Sequence, residues 1–133
     1  MGKYLFVYGS LRSGLTPAEV KPLLNGIERI SPATVRGWLY DLGEYSGVQL
    51  AEEGGLVVGE LLELGDAPTQ LSALDSYEGF DESAVSQCLF VRTICRAALP
   101  DGQSVEAWIY VYNQSLNAAH LIESGDYADV AQS

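Results

Sequence analysis

Residues 4–12 read Tyr-Leu-Phe-Val-Tyr-Gly-Ser-Leu-Arg, a run of β-forming residues that stops at a glycine and a serine. The apolar first part predicts a buried strand, and Gly9-Ser10 predicts the turn that ends it. Backbone N–H groups at the end of a strand can form a concave site for a carboxylate or an oxyanion, and glycine lets a ligand approach the backbone closely. Taken alone, the pattern fits an ordinary turn better than a site, and Arg12 can equally face solvent.

Residues 66–77 predict the clearest helix of the chain. Leu71 and Leu74 recur at helical spacing, and Gly79 follows as a stop signal. At 100° per residue, Glu78 falls on the same stripe as these two leucines. The carboxylate of Glu78 is therefore expected to face the buried side at the end of the helix.

This position would make Glu78 a better base near neutral pH. The negative end of the helix dipole and partial burial both disfavour the charged carboxylate and raise its pKa. Asp75 lies near the same stripe, so the pattern does not fully separate the two acids. Asp81 and Glu82 are expected in a loop after the helix. A glutamate that points to water is the competing interpretation.

Outside these stretches the chain alternates strand-like runs with turns. Gly37 suggests a bulge, and the turn signal at residues 100–102 joins the last two strands into a hairpin. About six strands and two or three helices in irregular order favour an α+β fold with a curved, mostly antiparallel sheet or small barrel. The predicted strands are 4–8, 30–42, 48–50, 56–64, 87–99 and 104–112, and the other predicted helices are 16–24 and 116–122.

Composition limits the classes of function. A chain of 133 residues fits one domain, residues 1–133, and a hydrophobic share of 47% is normal for a globular protein. The formal net charge of -11 speaks against binding to nucleic acid and to anionic lipid. The chain has no apolar run long enough to span a bilayer, and its start lacks the features of a secretion signal. A cytoplasmic location is expected.

Cysteine and histidine residues offer no obvious reactive cluster. Cys88 and Cys95 are seven residues apart; on one strand they would point to opposite faces and could not pair, which suggests a reducing compartment. His120 and Glu123 are too few ligands for a zinc site. No histidine lies near Ser10, so a serine-hydrolase triad is not expected.

Residues 6–12 and 74–80 together resemble the γ-glutamylcyclotransferase superfamily, including its γ-glutamylamine cyclotransferase and avirulence-induced-gene-like branches. They read Phe-Val-Tyr-Gly-Ser-Leu-Arg and Leu-Asp-Ser-Tyr-Glu-Gly-Phe. Each motif is weak alone, but matching segments follow in order along nearly the whole chain. One departure is Phe90, since many members carry a tyrosine two residues before the arginine that Arg92 matches. The other matching segments are 37–43, 58–61, 107–112 and 125–127.

The resemblance implies a small mixed, mostly antiparallel β-barrel flanked by two to three helices. It also implies a cofactor-free and metal-free enzyme of the acyltransferase or amide-cleaving lyase type. The α-amine of a γ-glutamyl group attacks its own γ-carbonyl, which releases 5-oxoproline and an amine, amino acid or peptide. The expected partner is a small γ-glutamyl molecule, with no nucleic acid or membrane; the oligomeric state is not predicted. A small-anion-binding domain of the same fold without catalysis is the alternative.

The resemblance also assigns roles to residues. Glu78 would carry the proton from the α-ammonium to the leaving amine. The backbone N–H groups of Gly9, Ser10 and Leu11 would bind the anionic end of the substrate or the oxyanion, and Tyr8 would shape the pocket. One of four further tyrosines is a candidate for the pocket wall: Tyr40, Tyr45, Tyr110 and Tyr112.

Overall fold

The structure is a computed structural model, and it describes residues 3–9, 22, 26–42, 46–65, 67–114 and 120–127. The predicted helix over 16–24 lies outside the described residues, apart from Pro22. No helix within the described ranges is both long and apolar enough to cross a membrane. The strands are β1 (Tyr4–Val7), β2 (Ile27–Asp41), β3 (Ser46–Leu50), β4 (Gly55–Leu64), β5 (Phe90–Ala98), β6 (Ser104–Tyr112) and β7 (His120–Leu121), helix α1 is Ala67–Glu78, and a 3-10 helix is Glu82–Gln87.

Five strands close into a mixed barrel in the order β2, β4, β1, β6 and β5. Neighbouring strands run antiparallel except β1 and β6, which are parallel. The ring closes where Thr34 of β2 pairs with Ala98 of β5. Strands β3 and β7 both pair with β2 outside the ring. The prediction of a small, mostly antiparallel barrel is confirmed, and α1 is its one α-helix within the described residues.

Side chains of β1 alternate between two hydrophobic clusters, as the pleat of a strand requires. Phe6 packs in the barrel interior with residues from all five ring strands. Leu5 and Val7 face outward and are covered by Leu71 and Leu74 of α1. Since both faces of β1 are buried, it is an uninterrupted apolar run in the sequence. This packing fixes α1 against the outer surface of the barrel.

The bulge in β2 differs from the prediction. The register of β2 against β4 shifts between Arg29 and Ser31, whereas Gly37 is regularly paired. A Cβ atom on Gly37 would come within 2.5 Å of the Gln49 carbonyl oxygen. Glycine at this position therefore permits a close approach of β3 and is not the mark of a bulge.

The C-terminal segment also differs from the prediction of a helix over 116–122. Residues 120–121 form β7 on the edge of β2, and residues 115–119 lie outside the described ranges. Ile122 is 8% exposed and packs in the barrel interior. Backbone pairing and burial of this side chain outweigh the weak helical pattern of the segment.

The predicted loop after α1 contains a short helix. The Asp81 carboxylate accepts hydrogen bonds from the backbone N–H and the hydroxyl of Ser83, at 2.9 and 2.7 Å, and so caps Glu82–Gln87. Cys88 belongs to this turn, since its Sγ accepts a hydrogen bond from the Asp81 N–H at 3.2 Å. Cys88 therefore precedes β5 and does not share a strand with Cys95, although both are buried free thiols.

Candidate active site

Glu78 is the last residue of α1, and its side chain continues the buried stripe as predicted. Leu71 and Leu74 on this stripe are 7% and 0% exposed, and Glu78 follows one turn later and is half-buried. Loss of hydration raises the pKa of Glu78 from its ordinary value of 4.5 to about 7. A carboxyl group with this pKa can both accept and donate a proton near neutral pH.

The backbone around Glu78 is held by the way the helix ends. Gly79 adopts a positive φ of 78°, a conformation that suits glycine. The N–H of Phe80 donates to the Asp75 carbonyl oxygen at 2.8 Å, and the N–H of Gly79 donates to the Ser76 carbonyl oxygen at 3.3 Å. These two bonds form a Schellman motif. Glu78 thus lies inside a closed hydrogen-bonded turn.

Tyr8 directly follows β1, and its hydroxyl is bonded to two other strands. The hydroxyl donates to the Tyr110 carbonyl oxygen on β6 at 2.6 Å, and it also has a backbone hydrogen bond with Val48 on β3. Burial, and then the negative charge of Glu78, raise the pKa of Tyr8. The hydroxyl therefore stays protonated near neutral pH and lies within electrostatic reach of Glu78.

Gly9 lies against the first residue of β3. A Cβ atom on Gly9 would be 2.9 Å from Oγ of Ser46, which is 6% exposed. The absence of a side chain therefore lets the chain pass close to β3 as it leaves β1. The structure thus places Tyr8 and Gly9 directly after β1, where the charge of Glu78 acts on Tyr8, whereas Ser10, Leu11 and Arg12 lie outside the described residues.

A polar cluster at the end of α1 was not predicted from the sequence. Arg92 on β5 donates from Nε to Oδ1 of Asp75 at 2.7 Å and from Nη2 to Oδ2 at 3.1 Å. The Tyr110 hydroxyl donates to Oδ1 of Asp75 at 2.7 Å. The Arg92 guanidinium lies 4.3 Å from the centre of the Trp108 ring and 5.7 Å from that of Phe80. The side chains of Arg92 and Asp75 are only 13% and 17% exposed.

The family model described as "Gamma-glutamyl cyclotransferase, AIG2-like" matches residues 5–129 of the chain. The chain belongs to this family. A provisionally named gamma-glutamylcyclotransferase of Methanocaldococcus jannaschii is 31% identical over 128 residues, which are 96% of this chain and 97% of that relative.

Two solved structures share the cyclotransferase-family fold with this chain. The crystal structure of YkqA from Bacillus subtilis has a TM-score of 0.70 at 23% identity and covers 99% of this chain, but this chain spans only 43% of YkqA. An AIG2-like protein from Mus musculus has a TM-score of 0.69 at 19% identity, with 91% of this chain and 86% of the mouse protein covered. Family membership indicates a cyclotransferase-like enzyme with a small γ-glutamyl substrate.

Among the candidate tyrosines that the structure describes, Tyr110 is coupled electrostatically to Glu78. Burial, the hydrogen bond to Asp75 and the charge of Glu78 all raise the pKa of Tyr110. Tyr112 instead packs edge-on against Phe90, and Tyr45 lies outside the described residues.

Part of the Asp75 cluster had a signal in the sequence. A hairpin that turns at residues 100–102 places Arg92 opposite Tyr110, as observed. Asp75 was already close to the buried stripe of the predicted helix. The contact between helix and hairpin depends on how α1 docks on the barrel, and neither pattern contains that information.

Among the described residues, no group of three or more His, Cys, Asp or Glu side chains could hold a metal ion.

Proposed function

We propose that this protein is a γ-glutamyl cyclotransferase that releases 5-oxoproline from a γ-glutamyl amine, amino acid or peptide. The observation that carries the proposal is the half-buried Glu78, whose pKa of about 7 suits a proton carrier at neutral pH. Family membership and the 31% identical relative support the same class of reaction.

In this reaction the substrate is both nucleophile and electrophile. Ionised Glu78 removes a proton from the α-ammonium group, and the free amine attacks the γ-carbonyl carbon. A new C–N bond closes the five-membered lactam, and the former amide C–N bond breaks. Protonated Glu78 gives this proton to the leaving nitrogen and then accepts the second proton that the attacking nitrogen must lose to become the lactam N–H. That proton passes to the released amine, which leaves in its ammonium form, so the carboxylate is regenerated. Because the reaction is intramolecular, much of the rate enhancement can come from holding the substrate in a folded conformation.

The backbone after β1 is proposed to bind the substrate opposite Glu78. The backbone N–H groups of Gly9, Ser10 and Leu11 would hold a carboxylate or the oxyanion that forms at the γ-carbonyl. Tyr8 would form the wall between this backbone and Glu78, since its hydroxyl is already bonded to Tyr110 and it is coupled electrostatically to Glu78. A neutral, fixed tyrosine is suited to shape a pocket and not to act as a base.

The test is release of 5-oxoproline from a panel of γ-glutamyl amines, amino acids and peptides. We expect E78Q to lower kcat on the order of a hundredfold to ten-thousandfold, because one general base contributes about that much. E53Q is the matched control, since Glu53 lies in an exposed turn. Equal turnover by the wild type and E78Q would reject Glu78 as the base. A panel member that binds but is recovered intact would support the non-catalytic binding domain.

The pH profile gives a second, independent test of the same proposal. Glu78 must be ionised to accept the proton, so kcat is expected to rise as the pH passes through about 7. The residual activity of E78Q should lack this step. A wild-type rate that is flat between pH 5.5 and 8.5 would contradict a titrating base with a pKa in the range.

A further inference from the structure

Glu78 lies between two residues that are both held by Arg92. Asp75, three residues before Glu78, forms two hydrogen bonds with the Arg92 guanidinium. Phe80, two residues after it, has its ring 5.7 Å from the same guanidinium. The backbone of Phe80 is in turn bonded to that of Asp75 at 2.8 Å. The turn that carries Glu78 is therefore attached to β5 on both of its sides.

We propose that Arg92 is a positioning residue, which clamps Asp75 and Phe80 and thereby fixes the Glu78 carboxyl group at the end of the barrel. This inference rests on the proposed role of Glu78. Arg92 acts through the turn; its guanidinium is bonded to Asp75 and lies over the Trp108 ring at 4.3 Å. The clamp would hold the base within the narrow range of positions that proton transfer requires.

The chemistry of this position favours arginine over lysine. The planar guanidinium can form two parallel hydrogen bonds with a carboxylate and stack on an aromatic ring at the same time. Tyr110 completes the arrangement, since its hydroxyl donates to the same oxygen of Asp75 at 2.7 Å. A lysine keeps the charge but has neither the second bond nor the flat surface. The substitution R92K therefore keeps the positive charge at this position and removes the planar shape of the guanidinium.

Several charged or titratable groups among the described residues lie on the elements that meet at the end of α1. Asp75 is on the helix itself, Arg92 is on β5, Tyr110 is on β6 and Tyr8 follows β1, while Asp81 lies in the turn after the helix. The charges of Asp75, Arg92 and Glu78 all act on the Tyr110 hydroxyl, so they share one site. In the wild type Asp75 balances the charge of Arg92. D75N weakens the charge-assisted bonds between the turn and Arg92, so the turn is expected to loosen and Glu78 to become better hydrated, which favours its ionisation.

The kinetic test compares R92K with R29K. Arg29 forms an ion pair with Glu60 at 2.7 Å, the same length as the Arg92–Asp75 pair, but between β2 and β4. We expect R92K to lower kcat on the order of a hundredfold, as small displacements of catalytic groups do, with KM changed by less than about threefold. R29K should keep both constants. If R92K keeps the wild-type kcat at a temperature where it is folded, the clamp is rejected.

A titration of Glu78 tests the clamp without any substrate. The carboxyl carbon of Glu78 can be followed by NMR in protein labelled with ¹³C-glutamate. Its signal is identified as the one that is missing from the spectrum of E78Q. We expect D75N to lower the midpoint of this titration and R29K to leave it unchanged. An unchanged midpoint in D75N would overturn the inference. If R92K does not fold, F80L tests the same clamp, since it removes the other flank while Asp75 stays paired.

The two proposals can fail separately. If the wild type turns over no γ-glutamyl substrate, the proposed function fails, while the Glu78 titration still reports on the clamp. If the wild type is active and E78Q is not, but R92K and F80L are as active as the wild type, the function stands and the clamp fails.

Discussion

Glu78 links the stability of the protein to pH, because its carboxyl group is harder to ionise in the folded chain than in the unfolded one. The pKa is 4.5 in its ordinary state and about 7 in the folded protein. When folding raises the pKa of a carboxyl group, the group contributes its full stabilisation at pH values below its pKa in the unfolded chain. This contribution is lost as the pH rises through its pKa in the folded protein. At about 1.4 kcal/mol per pKa unit, ionised Glu78 destabilises the fold by up to about 3 kcal/mol above pH 7.

The substitution E78Q is therefore expected to stabilise the protein at pH 8 and to change little at pH 4.5. Glutamine stays neutral at both values, so it avoids the desolvation of a buried charge. Urea unfolding midpoints at the two pH values measure the difference. E53Q, in an exposed turn, should show no comparable gain. An E78Q variant that is no more stable than the wild type at pH 8 would mean that Glu78 is well hydrated in solution.

For Tyr8 we expect the substitution Y8F to lower the stability of the protein and to leave the pH profile of its activity unchanged. Y8F removes the hydroxyl that donates to the Tyr110 carbonyl oxygen at 2.6 Å. The cost is expected to be about 1–3 kcal/mol, because a buried acceptor loses its partner. Thermal unfolding measures this loss, and Y112F is a control, since the ring of Tyr112 stays packed on Phe90.

Because burial keeps the Tyr8 hydroxyl protonated, Y8F should retain the midpoint of the wild-type pH–rate profile. Loss of the profile's lower limb in Y8F would show that the hydroxyl takes part in the proton transfer.

At the level of single residues, the sequence predicted the direction in which a side chain points better than the residues that it contacts. The inward direction of Glu78 follows from helix geometry and two leucines, which is local information. The bidentate contact between Asp75 and Arg92 joins residues 17 positions apart, and it depends on how two elements dock. The roles given to Ser10 and Leu11 stay predictions, since these residues lie outside the described ranges.

At the level of elements, the end of α1 decides where the carboxyl group lies, and two glycines allow a matched test. Gly79 ends α1 with a φ of 78°, and Gly102 turns the β5–β6 hairpin with a φ of 91°. A Cβ atom at either position would meet no atom within 4 Å. Alanine at each site should therefore cost about 1–2 kcal/mol through backbone strain alone.

The two variants should nevertheless differ in activity. G79A strains the turn that holds Glu78, so we expect a lower kcat with a small change in KM, whereas G102A should lose stability and keep its kcat. Steady-state kinetics, measured well below both unfolding temperatures, makes the comparison. Equal losses of kcat in the two variants would show that activity follows stability and not the geometry of this turn.

Elements with strong local signals were predicted well, and those set by distant pairing were not. Strand β6 has the predicted bounds of residues 104–112 because a turn signal and alternating β-forming residues define it. Strand β7 has two residues and exists only through pairing with β2. The bulge near Arg29 likewise reflects the fit of β2 along β4. Neither feature leaves a periodic pattern in the sequence.

At the level of the whole molecule, the barrel brings distant parts of the chain to one end. The parallel pairing of β1 and β6 puts the C-terminal ends of both strands together, so Tyr8 meets the strand that carries Tyr110. Helix α1 then covers the outer face of these strands through Leu71 and Leu74. Glu78 reaches this end because the helix stops there. The candidate site thus depends on the parallel pairing of β1 with β6 and on the length of α1.

The net charge of -11 predicts how ionic strength affects the choice of substrate. A strongly negative protein repels multiply anionic substrates over long distances, and salt screens this repulsion. The screening length falls from about 30 Å at 0.01 M salt to about 10 Å at 0.1 M. For a γ-glutamyl peptide with an acidic leaving group, kcat/KM should therefore rise a few-fold over this range, whereas a γ-glutamyl amide of a neutral alkylamine should change little. The same salt response for both substrates would show that the local charges of the pocket, and not the field of the whole molecule, decide this preference.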